Sequence, residues 1–374
     1  MSKTVYVGMS GGVDSSVAAL LLKEQGYRVV GIYMKNWSKD LPGMKCPWAE
    51  DLADAKRVAV KLGIPFEVWD FEKEYHDKVV EYMLDEFKKG NTPNPDIMCN
   101  QEIKFKLFYE KAMEAGADYI ATGHYARTTL DGSCRLLSSP ISQKLNGGPP
   151  PEPSPVHVDL LMAKDKNKDQ TYFLYRISEE ALSHTLFPIG GMLKPDVKKL
   201  AAERGLHNAY KKESMGVCFV GEVGMKDFLK EYIDVKPGEI REIETEKVLG
   251  YHEGAVFYTI GQRHGLYLSG VAGEANDGLP YYVVKKDLKR NIVYVSRNLN
   301  HAAIWTKELE LKDLFVRDEV PKTILVRLRH RAPLIPATFD GKKLVFESAV
   351  KRPAAGQSAV IYNGEVCLGG GIIT

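Results

Sequence analysis

The sequence has few cysteines, no long apolar run and almost no net charge. Its five cysteines form no C-x-x-C pair and no zinc-like spacing, which gives no indication of a zinc site and favours a reducing compartment. No apolar run approaches the roughly 18 residues of a membrane span. A net charge of +2 excludes a globally basic body, so any nucleic-acid surface must come from local clustering.

These absences predict a cytoplasmic protein. The first motif begins too close to residue 1 to leave room for a cleaved signal. A mitochondrial protein from which the presequence had been removed would show these same features. At 374 residues, 44% of them hydrophobic, the chain is long enough for two or three domains with cores of their own.

The most informative stretch is a glycine- and hydroxyl-rich turn, Val7–Ser16, of sequence VGMSGGVDSS. It lies between a predicted buried strand and an amphipathic helix. A helix N-terminus favours an anion through its unpaired N–H groups and its dipole, and Gly11 and Gly12 allow close approach of the backbone. No lysine stands where G-x-x-x-x-G-K-[ST] requires one, which excludes a P-loop kinase or GTPase. The turn therefore predicts a pyrophosphate site, with hydroxyl donors at Ser10, Ser15 and Ser16.

Strands and helices alternate through the first half of the chain, which predicts a doubly wound parallel sheet with helices on both faces. In such sheets, ligands bind beyond the carboxyl ends of the strands. After Gly238 the pattern changes to short alternating segments separated by turns, which predicts β structure. The predicted strands are Thr4–Val7, Val29–Met34, Ile64–Phe71 and Asp118–Thr122 in the first half, then Ala255–Ile260, Tyr281–Val284, Ile292–Val295, Ile324–Leu328, Ala337–Phe339, Leu344–Phe346 and Ala359–Tyr362.

Three domains follow from this pattern. We expect an α/β domain over residues 1–213, a central β-rich domain over 214–279 and a C-terminal β-barrel over 280–374. The stretch 138–155 is rich in Pro, Gly and Ser and cannot form a core, so we expect a flexible surface insertion there.

Two further motifs each contain a cysteine. In Asn91–Asn100, two prolines separated by one residue are expected to hold the chain extended and to present Asp96 and Cys99. In Ser214–Phe219, Cys218 lies in a glycine-containing loop where the α/β pattern ends. Either cysteine alone is more simply a buried structural residue. In a chain with a nucleotide loop, the pair suggests sulfur chemistry.

Taken together, the motifs closely resemble those of the tRNA-specific 2-thiouridylases, whose phosphate loop is that of the N-type ATP pyrophosphatases. The resemblance covers nearly the whole chain. It implies replacement, at the expense of ATP, of the C2 oxygen of the wobble uridine by sulfur in the tRNAs for Lys, Glu and Gln. The matching segments are Ser10–Ser16, Thr92–Asp96 with Cys99, Gly123–Tyr125, Lys168–Gln170, Gly216–Phe219, Tyr258–Arg263 and Gly356–Gln357.

The resemblance also implies roles for the matching residues. Cys99 matches the nucleophile, and Cys218 matches the cysteine that carries the incoming persulfide. ATP contacts fall on Gly8, Met9, Ser10, Gly11, Gly12, Val13, Asp14, Ser15, Met34 and Gly123, with Asp14 near Mg²⁺ and the phosphates. Asn94, Pro95 and Asp96 match contacts with the target base. The matching tRNA contacts are His124, Lys168, Asp169, Gln170, His330, Arg331 and Gln357.

The expected chemistry begins with transfer of AMP to the uridine C2 oxygen, which turns oxide into a good leaving group. A persulfide on Cys218 then delivers its terminal sulfur to C2 while Cys99 attacks the bridging sulfur, which leaves a disulfide for a reductant to open. Alternatively, Cys99 first liberates hydrosulfide, which attacks C2. Asp96 is the candidate general acid or base, and hydrogen bonding to the base is its alternative role. The sulfur donor is a cysteine desulfurase or a sulfur-relay protein.

A basic cluster near the C-terminus offers a second RNA surface. In a strand, Arg327, Arg329 and Arg331 share one face and can line up against phosphates. The cluster consists of Lys322, Arg327, Arg329, His330 and Arg331. Two departures from the family pattern are the insertion at 138–155, ahead of Lys168, and Glu213 and Met215, where many members have Asp and Gln.

Two other functions fit parts of the pattern. An adenylating amidotransferase or synthetase of the PP-loop type would need no loop cysteines and no tRNA surface. A tRNA-binding sulfur carrier with an inactive nucleotide fold would need no intact phosphate loop.

Overall fold

The computed structural model describes residues 2–40, 46–131, 157–212, 224–268 and 280–374. Cys134, Cys218 and the insertion at 138–155 therefore lie outside the described residues, as do Glu213 and Met215. Within the described ranges, no helix is both long enough and apolar enough to cross a membrane.

Seventeen strands and ten α-helices are described. The helices are α1 Val13–Glu24, α2 Trp48–Leu62, α3 Glu72–Tyr75, α4 Glu81–Lys88, α5 Pro95–Met98, α6 Phe108–Glu114, α7 Thr171–Leu174, α8 Glu179–Ser183, α9 Lys194–Glu203 and α10 Met225–Tyr232. The strands are β1 Thr4–Gly8, β2 Arg28–Lys35, β3 Phe66–Asp70, β4 Tyr119–Thr122, β5 Ala126–Thr128, β6 Leu160–Met162, β7 Thr185–Leu186, β8 Gly238–Glu242, β9 Val248–His252, β10 Tyr282–Asp287, β11 Ile292–Ser296, β12 Trp305–Val316, β13 Thr323–Arg327, β14 Ile335–Phe339, β15 Lys343–Lys351, β16 Ser358–Asn363 and β17 Val366–Ile373. Two π-helical segments, His76–Val80 and Cys99–Leu107, join α3 to α4 and α5 to α6.

The first domain is built on a five-stranded parallel sheet with the order β3-β2-β1-β4-β7. Alternate residues of β1 point to opposite faces, as the pleat requires. Val5 and Val7 pack in the cluster that contains Val17 of α1, whereas Tyr6 packs in the other cluster, against Trp69. The predicted parallel sheet with helices on both faces is confirmed.

The topology places a crevice at the phosphate turn. The chain passes from β1 outward through β2 to β3, and β4 then pairs with the opposite side of β1. Such a reversal of strand order opens a ligand crevice beyond the carboxyl ends of the strands. Here the crevice lies between the ends of β1 and β4.

Four strands form the central sheet, in the order β10-β11-β8-β9. The expected boundary at 279/280 separates β10 and β11 from β8 and β9, with which they form one sheet. We therefore propose residues 297–304 as the boundary between the second and third domains. The predicted strand Ala255–Ile260 is wrong: Ala255–Phe257 forms a 3₁₀ turn, because Asn291 Oδ1 holds the Ala255 N–H and the next N–H groups bond locally.

The C-terminal domain is a closed antiparallel barrel, which confirms the predicted fold. Six strands run in the order β12-β15-β14-β13-β16-β17, and β12 closes the barrel by pairing with β17 as well as β15. Val326, Leu344 and Ile361 fill its interior with no exposed surface. The hairpin of β5 and β6 from the first domain extends the sheet at β17, where Leu161 is opposite Val366.

Candidate active site

The phosphate loop, defined here as Gly8–Ser16, connects β1 to α1. Gly12 is the N-cap of α1 and has no side chain with which to cap it, which leaves the first N–H groups of the helix for an anion. Gly11 has a φ of +77°, and a Cβ there would collide with the carbonyl oxygen of Asp51, so only glycine fits. Ser15 Oγ accepts the Ser10 N–H at 3.2 Å. The loop is thus shaped as the sequence predicts.

Ser16 departs from its expected role as a phosphate donor. Its side chain has no exposed surface, and its hydroxyl donates to the Gly12 carbonyl at 2.9 Å. Met9 and Val13 are also buried, with 1% and 4% exposure, so only their backbones can face a nucleotide. Ser10, by contrast, is exposed.

The two residues that match adenosine contacts flank the phosphate loop. Met34 lies near the end of β2, and its Cε would be 2.8 Å from a Cβ added to Gly8. Gly123 follows β4, and a Cβ added there would be 2.5 Å from the Ser15 nitrogen. The ends of β1, β2 and β4 therefore bring these residues together.

Two residues that the sequence reasoning missed hold Asp14. Lys194 Nζ donates to both carboxylate oxygens at 2.7 Å, and Tyr125 Oη donates to Oδ1 at 3.0 Å. The Lys194 side chain is only 8% exposed. Lys194 is the first residue of α9, where a cation is unfavourable unless another charge offsets it, and Asp14 supplies that charge.

Asn208 is a third missed residue. It is 2% exposed, and its amide nitrogen donates to the Gly11 carbonyl and to Ser16 Oγ, both at 2.9 Å. The chain around it is tied to α2, since Lys211 Nζ contacts Asp51 and Asp54 at 2.7 and 2.6 Å. The phosphate loop is therefore supported from the segment that leads toward Cys218.

The segment with Cys99 is helical where an extended loop was expected. Asn94 is the N-cap of α5, and its Oδ1 accepts the N–H groups of Asp96 and Ile97 at 3.2 and 3.4 Å. Pro95 occupies the first helical position, where its missing N–H costs nothing. Cys99 begins the following π-helical segment and is 4% exposed. The described cysteines, Cys46, Cys99 and Cys367, are all buried.

Burial shifts the pKa values of Asp96 and His124 in opposite directions. Burial raises the pKa of the Asp96 carboxyl, an effect that the charge of Lys104 partly offsets. Burial also lowers the pKa of His124 well below its usual value, and Lys104 adds to the shift. His124 is therefore neutral near pH 7; its Nδ1 lies 2.8 Å from Thr122 Oγ1, and its ring packs on Phe105 at 5.8 Å between centroids.

The tripeptide Gly123–Tyr125 lies between the phosphate loop and the helical segment of Cys99. Gly123 abuts the start of α1, whereas the His124 ring packs on Phe105 of the π-helical segment that begins at Cys99. Tyr125 then bonds Asp14 through its hydroxyl. Gly123–Tyr125 therefore contacts both the phosphate loop and the helical segment that contains the candidate nucleophile.

The other residues that match tRNA contacts divide into two groups. Lys168–Gln170 and His330–Arg331 lie together, since the His330 ring packs on Phe173 at 4.6 Å, and Lys168 and Arg331 are among the charges that act on His330. Gln357 lies elsewhere, against the backbone of Thr92 and Pro93.

Only part of the first group faces solvent. Asp169 is 1% exposed, and its Oδ2 forms an ion pair with Arg327 Nη1 at 2.6 Å. Arg327 ends β13 and is 5% exposed, so the expected row of arginines facing phosphates is wrong: Arg329 lies beyond the strand, and Arg327 points inward. Arg329 and Arg331 are exposed. Burial and nearby cations lower the pKa of His330 to about 4, so its ring is neutral near pH 7.

Comparisons with known proteins cover almost the entire chain. The family model described as "tRNA methyl transferase HUP domain" matches residues 3–222, the "tRNA methyl transferase PRC-barrel domain" matches 226–297 and the "Aminomethyltransferase beta-barrel domain" matches 305–373. The tRNA-specific 2-thiouridylase MnmA of Listeria monocytogenes serotype 4b is 46% identical over 378 residues, 99% of this chain and 94% of the relative. The protein of that name from Lactiplantibacillus plantarum is 45% identical over 379 residues, with the same two coverages. A solved 4-thiouridine synthetase–RNA complex with bound ATP is 16% identical, with a TM-score of 0.36, over 61% of this chain and 50% of that one.

Proposed function

The chain belongs to the family of tRNA-specific 2-thiouridylases, and on that premise we propose that it uses ATP to replace the C2 oxygen of the wobble uridine of tRNA with sulfur. The match of relatives over 99% of the chain confirms the resemblance read from the motifs. The observation that supports the chemistry is the position of Gly123–Tyr125, which contacts the phosphate loop and the helical segment of Cys99 at once.

Activation of the base takes place at the phosphate loop. Backbone N–H groups at the start of α1 hold the β- and γ-phosphates, and the uridine C2 oxygen attacks the α-phosphorus and displaces pyrophosphate. Met34 and Gly123 flank the adenosine. Lys194, which already contacts Asp14, contributes a buried positive charge as the pyrophosphate departs.

A magnesium ion fits the same place. Asp14 and the exposed Ser10 hydroxyl would supply the hard oxygen ligands that Mg²⁺ prefers, although both oxygens of Asp14 already accept hydrogen bonds from Lys194. When bound, the ion would stabilise the charge of the leaving group.

Sulfur transfer requires the two cysteines. The terminal sulfur of a Cys218 persulfide attacks C2, and AMP leaves with the former carbonyl oxygen. The Cys99 thiolate attacks the bridging sulfur, the sulfur–sulfur bond of the persulfide breaks with its electrons on the transferred sulfur, and a Cys99–Cys218 disulfide remains for a thiol reductant. Asp96 suits proton transfer at the base because burial raises the pKa of its carboxyl. The donor that loads Cys218 is a desulfurase or a relay protein.

The test is mass spectrometry of nucleosides from unmodified tRNA incubated with the protein, ATP, magnesium and a sulfur source. We expect 2-thiouridine with the wild type and none with Cys99→Ser or Cys218→Ser, while tRNA binding by both variants survives. Full activity of either variant would overturn the assigned cysteine roles. Pyrophosphate release without thiolation would indicate an amidotransferase or synthetase, and absence of tRNA-dependent pyrophosphate release would indicate a sulfur carrier.

A further inference from the structure

Thr92 is a residue at which all three domains meet. It lies two residues before Asn94, the N-cap of the helix that leads to Cys99. Its N–H donates to the Ala355 carbonyl of the barrel at 2.8 Å, and its carbonyl accepts Gln357 Nε2 at 2.6 Å. Its hydroxyl lies 3.1 Å from the hydroxyl of Thr259 in the central domain. Both backbone groups and the side chain of Thr92 are therefore held from outside its own domain.

The groups that hold Thr92 are themselves fixed. The backbone of Gln357 is bonded within the barrel, where its carbonyl accepts the Ile373 N–H at 2.8 Å. Gly356 has a φ of +90°, and a Cβ there would be 3.0 Å from Asn91 Cβ, so the barrel turn fits closely against this loop. In the central domain, the Thr259 N–H donates to Gln262 Oε1 at 3.0 Å.

From these contacts we propose that Gln357 and Thr259 are positioning residues, which fix the loop at Thr92–Pro93 and thereby align Asn94, Asp96 and Cys99. The resemblance implies a tRNA contact for Gln357, but its amide donor is used on the loop itself. Asn94 caps a helix that runs without interruption to Cys99, so a displacement at Thr92 is transmitted to the thiol. Small misplacements of reacting groups are costly to rate. This inference rests on the proposed function of Cys99.

The experiment compares Gln357→Met, which removes the donor at similar volume, with Gln357→Glu, which sets an acceptor against the Thr92 carbonyl. The first readout is the alkylation rate of Cys99 in the full-length protein without tRNA or ATP, resolved by peptide mass spectrometry. Cys99 is 4% exposed, so its alkylation reports opening of this segment. Loss of one hydrogen bond predicts a rate about three- to tenfold higher in Gln357→Met, and a larger increase in Gln357→Glu.

The second readout separates positioning from tRNA binding. We expect kcat for thiolation to fall in both variants while the Kd for tRNA stays within about twofold. Thr259→Val should increase Cys99 alkylation in the same direction, because it removes the contact from the central domain. Lys168→Met is the control for loss of a tRNA contact; it should weaken tRNA binding and leave Cys99 alkylation unchanged.

The opposite pattern would overturn the proposal. If both Gln357 variants bind tRNA more weakly and alkylate Cys99 at the wild-type rate, Gln357 is a tRNA contact. A wild type that makes no 2-thiouridine would refute the proposed function. The Cys99 alkylation rates of the wild type and the Gln357 variants could still be compared, because they are measured without substrate.

Discussion

At the scale of single residues, the structure reveals contacts of Asp14 that the sequence motif does not indicate. Its carboxylate accepts hydrogen bonds from Lys194 and Tyr125, which are 180 and 111 residues away in the sequence. The motif around Asp14 identifies the phosphate loop, but no local pattern indicates which distant cation completes it. Only the packing of α9 against α1 brings Lys194 to the loop.

We predict that Lys194→Met slows tRNA-dependent pyrophosphate release by about 100-fold or more, the usual cost of removing one preorganised group that stabilises transition-state charge. The physical reason is loss of the cation at Asp14, where the Lys194 side chain is 8% exposed. Lys199→Met in the same helix is the control, since that side chain is 76% exposed. Release within threefold of wild type in Lys194→Met would rule out a catalytic charge there.

At the scale of elements, the sequence predicts the parallel strands well and the loops less well. The four predicted strands of the first half coincide with β1 to β4, because each is a short apolar run between turn signals. The stretch after Pro93 differs from its prediction: two prolines indicate extended chain, whereas Asn94 caps α5 and Pro95 begins it. Proline is favoured both in extended chain and at the first position of a helix, and here the Asn94 side chain caps the helix by accepting the N–H groups of Asp96 and Ile97.

The support of the phosphate loop by Asn208 is the element-level contact that most affects function. We predict that Asn208→Asp raises the KM for ATP by about tenfold, because a carboxylate would repel the Gly11 carbonyl and bring negative charge to an anion site. The measurement is pyrophosphate release as a function of ATP concentration.

Asn291→Asp provides the matched control for this change. Asn291 Nδ2 also donates to two carbonyls, those of Lys236 and Pro237 at 2.7 and 3.1 Å, but it lies in the central domain. We expect it to leave the KM for ATP unchanged. An equal increase in both variants would show that the effect is general destabilisation and not a loss of support for the loop.

At the scale of the whole molecule, the sequence predicts three folding units but not how they join. Composition distinguishes the parallel sheet from the later β structure. Charge and alternation predict that Arg327 faces solvent, because they do not reveal its buried partner, Asp169. In the structure, Asp169 also accepts the Ala163 N–H at 2.9 Å and the Thr171 hydroxyl at 2.8 Å. Asp169 and Arg327 therefore join the first domain to the barrel beneath the surface on which Lys168 and Arg331 lie.

Breaking this buried pair should loosen the attachment of the barrel. The two side chains are 0% and 7% exposed, so Asp169→Asn leaves an uncompensated buried cation and is expected to cost about 3–5 kcal/mol in unfolding free energy. Glu24→Gln, at the exposed Arg204–Glu24 pair of similar length, should cost less than about 1 kcal/mol. Urea denaturation followed by tryptophan fluorescence compares the two, and the double variant Asp169→Asn with Arg327→Met should recover part of the loss because it also removes the unpaired charge. Equal costs for Asp169→Asn and Glu24→Gln would mean that this pair does not hold the domains together.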